Sequence, residues 1–300
     1  MAGSEAKPLH PWQVWWLAAR PKTLPAAASG VITGTALAWR AGHFRPGPAL
    51  AALGVALLLQ IGSNLANDVF DFERGADTAE RSGPLRVTQA GLLSPAQVKA
   101  GMVIVFALAA GLGLYLAWVS NWQVIWIGLA AIVAAVAYTG GPFPLGYYGL
   151  GDLFVFLFFG LAAVTGTYYV QAGSVSLAAW GMSVPIGLLV TAILVVNNLR
   201  DIATDRAAGK HTLAVWLGER GTQGEYFLCL LVAYLVLPVL IGLRLLPLAA
   251  LLAWGSLWVA WPVGQTVLTQ RGRALNATLA GTGQVALVYS LLFLAGLLIG

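Results

Sequence analysis

Stretches of about twenty apolar residues recur along this chain, at roughly 24–39, 49–67, 100–119, 122–138, 150–171, 178–199, 226–243, 246–268 and 280–299. Nothing else constrains the fold as much. A run of that length crosses a bilayer as one helix, and in lipid a helix satisfies its backbone polar groups internally. The chain therefore reads as an all-α, polytopic membrane protein of about nine transmembrane helices. Composition agrees: 9% of residues are charged and mean hydropathy is +0.81, whereas soluble chains carry about 25% charged residues. Residues 1–300 read as one integral-membrane domain, with 1–10 as a disordered tail.

Basic residues orient it. With the N-terminus cytoplasmic, every Lys and Arg except Arg40, Arg45 and Arg244 falls on an inner segment. The net charge of +5 then reflects topology, and no nucleic acid partner is needed to explain it. The second and sixth runs point inward.

Both of those runs end in polar clusters. The first carries Asn64, Asn67, Asp68 and Asp71 at steps of three and four, hence on one helix face. Glu73, Arg74, Gly75 and Asp77 follow, with Gly75 as the helix stop. The second carries Asn198, Asp201 and Asp205. Aligned on Asn64-Leu65 and Asn198-Leu199, Asp71 falls on Asp205 and Gly75 on Gly209. This weak internal repeat would set two acidic helix ends face to face. Acidic groups oppose the dipole at a helix C-terminus, and polar groups at membrane depth are costly, so a cation belongs between them. The clusters hold neither Cys nor His; Cys229 is the single cysteine, and His10, His43 and His211 are scattered. Oxygen donors alone point to a hard ion such as Mg²⁺.

Arg74, Arg81 and Arg86 flank the first cluster and Lys210 the second. They read either as surface ion pairs, worth about 0–1 kcal/mol each, or as a grip on phosphate oxygens. Arg20 and Lys22, among prolines, read as membrane-surface anchors or anion binders. The Trp-rich stretch before them suits the headgroup level. The loop from Tyr138 to Asp152 has no basic residue and is rich in Gly, Pro and Tyr, a composition shaped for fit. Asp152 reads as a helix cap or a proton acceptor. Phe154, Phe156, Phe158 and Phe159 face lipid, core or a hydrocarbon channel. A divalent-cation transporter would also place carboxylates at helix ends, but would continue polar residues through its pore.

At these residues the chain resembles, over its whole length, the UbiA superfamily of intramembrane aromatic prenyltransferases. The resemblance is strongest to the branch that prenylates 1,4-dihydroxy-2-naphthoate in menaquinone biosynthesis. It is carried by 20–25, 67–71, 75–77, 81–86, Tyr138-Thr139, 149–152, 198–205 and 209–213. One departure is Gly75, where the wider superfamily often has a third aspartate; Asp77 or Glu73 would then complete the first metal shell. The resemblance implies a UbiA-type bundle in a bacterial inner or plasma membrane, with its site facing the cytoplasm. It implies Mg²⁺ on Asp68, Asp71, Asp77, Asp201 and Asp205. It implies diphosphate contacts from Lys22, Arg74, Arg81, Arg86, Lys210, Asn67 and Asn198, and catalytic roles for Asp71, Asp205, Tyr138 and Asp152. The expected substrates are polyprenyl diphosphate and 1,4-dihydroxy-2-naphthoate, joined with loss of CO₂; homogentisate and 4-hydroxybenzoate are the alternative acceptors.

Overall fold

The computed structural model describes residues 9–75 and 82–300. The expected tail thus falls almost wholly outside the described residues, as do Asp77 and Arg81. Among the described residues every regular element is helical: α1 (Pro11–Ala19), α2 (Leu24–Arg40), α3 (Pro46–Glu73), α4 (Pro95–Val119), α5 (Val124–Ala137), α6 (Gly151–Val155), α7 (Ala163–Ala172), α8 (Leu177–Ala207), α9 (Leu213–Gly242), α10 (Leu257–Thr269) and α11 (Leu275–Ile299). A π-helical turn, Phe156–Ala162, joins α6 to α7, and a 3₁₀ segment, Leu248–Ser256, leads into α10. Six of the resulting rods are long and apolar enough to cross a membrane. With the shorter α2, α5 and α10 rods they are roughly consistent with the expected count of about nine, and the molecule is an integral membrane protein.

Sequence chemistry explains where these rods begin and end. Pro46 and Pro48 open α3, and Gly75, at φ +70°, stops it. Ser176 caps α8 by accepting from the Ala179 amide at 3.2 Å, and Gly209, at φ +71°, follows its end. Both acidic helix ends therefore finish on a left-handed glycine. Several rods run past the apolar stretches that marked them, α3, α8 and α9 by the most. Helix α3 extends to Glu73 because its polar last turns pack inward, with Asn64, Asp68 and Asp71 buried. Helix α9 starts at Leu213 rather than near 226, because a surface turn precedes the span across a break at Gly218 (φ 67°, ψ −176°).

One apolar core gathers α2, α8, α9 and α11 around Met182, Ile186, Tyr289 and Phe293. A second joins α1, α3 and α4 around Leu65, Val69, Val98 and Phe106. Helix α8 touches the π-helical turn almost backbone to backbone: a Cβ added at Gly160 would stand 2.5 Å from the Gly187 Cα and 2.7 Å from the Ser183 carbonyl oxygen. Small residues permit such an approach, and van der Waals packing then holds the pair. We expect Gly160→Ala to push the two apart and to cost about 1–3 kcal/mol, read as earlier unfolding of the detergent-solubilised protein.

Candidate active site

Between the two cores lies a cavity of about 410 Å³. Its wall on α3 is a stripe at helical spacing, from Ala52 through Ala56, Gln60, Asn64 and Asn67 to Asp71. At 1.5 Å rise per residue that stripe is about 28 Å long, close to the hydrocarbon thickness. The end near Asp71 is polar. Away from that end the walls are mainly apolar, Thr167 excepted, with Phe154, Phe158 and Phe159 among them.

At the polar end the two acidic helix ends meet through one ammonium group. Lys210 Nζ lies 3.6 Å from Asp71 Oδ1 and 3.7 Å from Asp205 Oδ1, and 4.5 Å from the centre of the Tyr147 ring. Asp71 also accepts from Arg86 Nη2 at 2.9 Å and from the Tyr147 hydroxyl at 2.8 Å. Asp205 and Asp201 both line the cavity. Asp201 is gripped by the neighbouring Arg200, whose Nε donates to Oδ1 at 2.8 Å, while other guanidinium nitrogens hold Asn197 and Asn276. Asn198 lines the cavity, and Asn67 does so while accepting from the Thr139 hydroxyl at 2.9 Å.

Other expected site residues have different surroundings. Asp68, expected on the metal, is 1% exposed, and its two oxygens accept from the Val87 and Thr88 amides, both at 3.0 Å. It holds the segment that carries Arg86. Arg74, expected on diphosphate, instead binds loop carbonyls, donating to Thr139 at 3.0 Å and to Gly141. Glu73 pairs with Lys99 at 2.6 Å on the half-exposed flank of α3 and is not part of the cavity wall. Lys22 is exposed, whereas Arg20 lines the cavity. Asp152 lies in the first turn of α6, buries Oδ1 without a partner and is not a wall residue. Tyr138 is a wall residue where polar and apolar ends join.

Two wall residues, Tyr147 and Arg20, had no site role assigned from the sequence alone. Tyr147 comes from the uncharged loop, and its Asp71 partner is 76 positions away. Arg20 was weighed beside Lys22; it adopts a left-handed backbone (φ 53°) between α1 and Pro21. Asn64 buttresses that corner by donating to the Ala19 carbonyl at 3.0 Å and to the Thr23 hydroxyl at 2.9 Å. The prolines flanking Lys22 were the available signal.

Among the described residues no three Asp, Glu, His or Cys side chains converge to cage a metal unaided. Mg²⁺ is commonly held by one or two carboxylates together with substrate phosphates. Asp71 and Asp205, already sharing one cation in Lys210, fit that role with oxygen donors only.

A helical membrane bundle whose cavity joins cation-bridged carboxylates to a long apolar groove suits a ligand with an anionic head and a hydrocarbon tail. The chain belongs to the UbiA prenyltransferase family, whose model matches residues 27–280. It is 41% identical over 300 residues to the 1,4-dihydroxy-2-naphthoate octaprenyltransferase of Escherichia coli (strain K12), covering 95% of each chain. It is 41% identical over 297 residues to that of Mycobacterium tuberculosis, covering 95% of this chain and 97% of the other. The fold is shared with a UbiA homologue from Aeropyrum pernix K1 (TM-score 0.68, 15% identity, 97% and 99% of the two chains). It is shared as well with a homologue from Archaeoglobus fulgidus bound to DMAPP and Mg²⁺ (TM-score 0.63, 13% identity, 95% and 99%).

The placement of Asp68 separates it from Asp71. Asp68→Ala leaves two buried amides without acceptors, which costs about 1–3 kcal/mol of stability. We expect thermal unfolding to move down in that variant, whereas Asp71→Asn should leave the unfolding temperature closer to the parent's.

Proposed function

We propose that this chain transfers a polyprenyl group from polyprenyl diphosphate to 1,4-dihydroxy-2-naphthoate with loss of CO₂, giving demethylmenaquinol. The observation that carries this reading is one continuous cavity about 28 Å long, running from Asp71, Asp205 and Lys210 into an apolar groove. The apolar outer half offers an ion no polar path, which speaks against a transporter. The acceptor follows the named relatives, full-length and about two-fifths identical.

In this reading Asp71 and Asp205 hold Mg²⁺, which when bound offsets charge on the departing diphosphate. Lys210 and Arg86, both on Asp71 here, supply charge-assisted hydrogen bonds to phosphate oxygens. The allylic C–O bond breaks, diphosphate leaves, and the resulting cation is kept from water by the apolar walls. The Tyr138 ring, at the junction of head and tail regions, stabilises that cation by about 1–2 kcal/mol. A ring carbon of the electron-rich naphthoate forms the new C–C bond, and its carboxyl group departs as CO₂. Because that departure restores the aromatic ring, no enzymic base is required, and Asp152 has no assigned step. In this reading the polar end, with its excess of basic residues, faces the cytoplasm from a bacterial inner membrane.

Purified protein with Mg²⁺, octaprenyl diphosphate and carboxyl-labelled naphthoate should release labelled CO₂ in step with prenylated product. Turnover of homogentisate or 4-hydroxybenzoate with the naphthoate ignored would overturn the acceptor. Asp71→Asn and Asp205→Asn should each lower kcat by about a hundredfold or more in folded, membrane-inserted protein. Lys210→Met should raise KM for the prenyl diphosphate while leaving KM for the naphthoate nearly unchanged; equal rises would assign Lys210 to folding alone.

A further inference from the structure

Three of the helices around the outer part of the apolar groove each contribute a glycine to its wall: Gly113 on α4, Gly128 on α5 and Gly166 on α7. Each glycine lies within six residues of its helix's end on the face opposite the carboxylates, at Val119, Val124 and Ala172 respectively. All three are therefore within about 9 Å of those ends, at a similar depth, and their helices touch one another.

Packing does not require these glycines. A Cβ at Gly30, Gly34 or Gly160 would fall within 3 Å of backbone atoms. A Cβ at Gly113, Gly128 or Gly166 would meet no atom within 4 Å. Nor do their backbones need glycine, since none of the three has positive φ. Glycine inside a helix costs about 1 kcal/mol relative to alanine, here with no return in packing. The one thing their missing side chains provide is open volume in the groove.

We infer that Gly113, Gly128 and Gly166 determine how long a prenyl chain the enzyme accepts, by keeping the outer groove wide enough for isoprene units far from the diphosphate. The inference rests on the prenyl-transfer reading above. A short donor ends before this level, and a long one must pass it. A branched side chain at any of the three would project into the groove and discriminate against the long donor alone.

The test is the ratio of kcat/KM for octaprenyl diphosphate to that for geranyl diphosphate, with one acceptor, in Gly113→Leu, Gly128→Leu and Gly166→Leu. The ratio should fall about tenfold or more, the scale at which steric fit in an apolar pocket discriminates. The corresponding Gly→Ala variants should move it in the same direction by less. Gly111→Leu, an exposed α4 position off the cavity wall, should leave it unchanged. Retained geranyl transfer shows that a variant is folded. An unchanged ratio in all the Leu and Ala variants would overturn the inference, as would an equal fall in Gly111→Leu. A parent enzyme that used neither donor would instead overturn the prenyl-transfer reading itself.

Discussion

The site depends on one ammonium group between two carboxylates. Lys210 reaches both Asp71 and Asp205, which come from helices belonging to different apolar cores. Two carboxylates facing each other at this depth repel, and each bears a desolvation cost. A shared cation removes both objections and fixes the spacing of α3 against α8. Lys210 is supplied by the turn directly after α8, beyond Gly209, where the left-handed glycine ends the helix and sends the chain back toward the site. In the proposed reaction Asp71 and Asp205 would hold a metal that supplies this positive charge, which would leave Lys210 free to bind phosphate oxygens.

The loop between α5 and α6 carries no positive charge of its own, yet charges elsewhere position it. Arg74 binds its carbonyls, Asp71 accepts from Tyr147, and the His211 amide donates to the Tyr147 carbonyl at 2.8 Å. The loop thereby touches the ends of both acidic helices. Its glycines make room for Tyr138: a Cβ at Gly146 would stand 2.8 Å from that ring, and one at Gly151 would stand 2.8 Å from its hydroxyl. Tyr138 is thus held by shape, at the boundary between the polar and apolar ends of the cavity.

The apolar half follows a different logic, because shape rather than charge orients most of its wall. Helices that must pack closely do so through Gly30, Gly34 and Gly160, whose missing side chains are filled by neighbouring backbone. The π-helical turn between α6 and α7 brings Phe158 and Phe159 to the cavity while turning Phe156 onto Gly187. Such turns are frequent at functional sites because they rotate side chains that a regular helix would keep in register.

The all-helical membrane architecture, the two acidic helix ends and their stop glycines were legible in the sequence by itself. Each follows from a local property: apolar run length against bilayer thickness, recurrence at three and four residues, and the left-handed freedom of glycine. The surface turn opening α9 was not legible, since its residues 213–217 are too few to register as a span. Only the tertiary structure divided the work among the polar side chains. Asp68 and Asp71 share a face by spacing, but a step of three leaves them about 60° apart around the helix axis. That angle turns one toward the amides of Val87 and Thr88 and the other toward Arg86, Tyr147 and Lys210. Likewise Arg20 reaches the cavity and Lys22 does not, because Asn64 of a different helix holds the corner between them. Helical spacing names the face a residue occupies, but its hydrogen-bond partner is whatever distant segment the fold brings opposite.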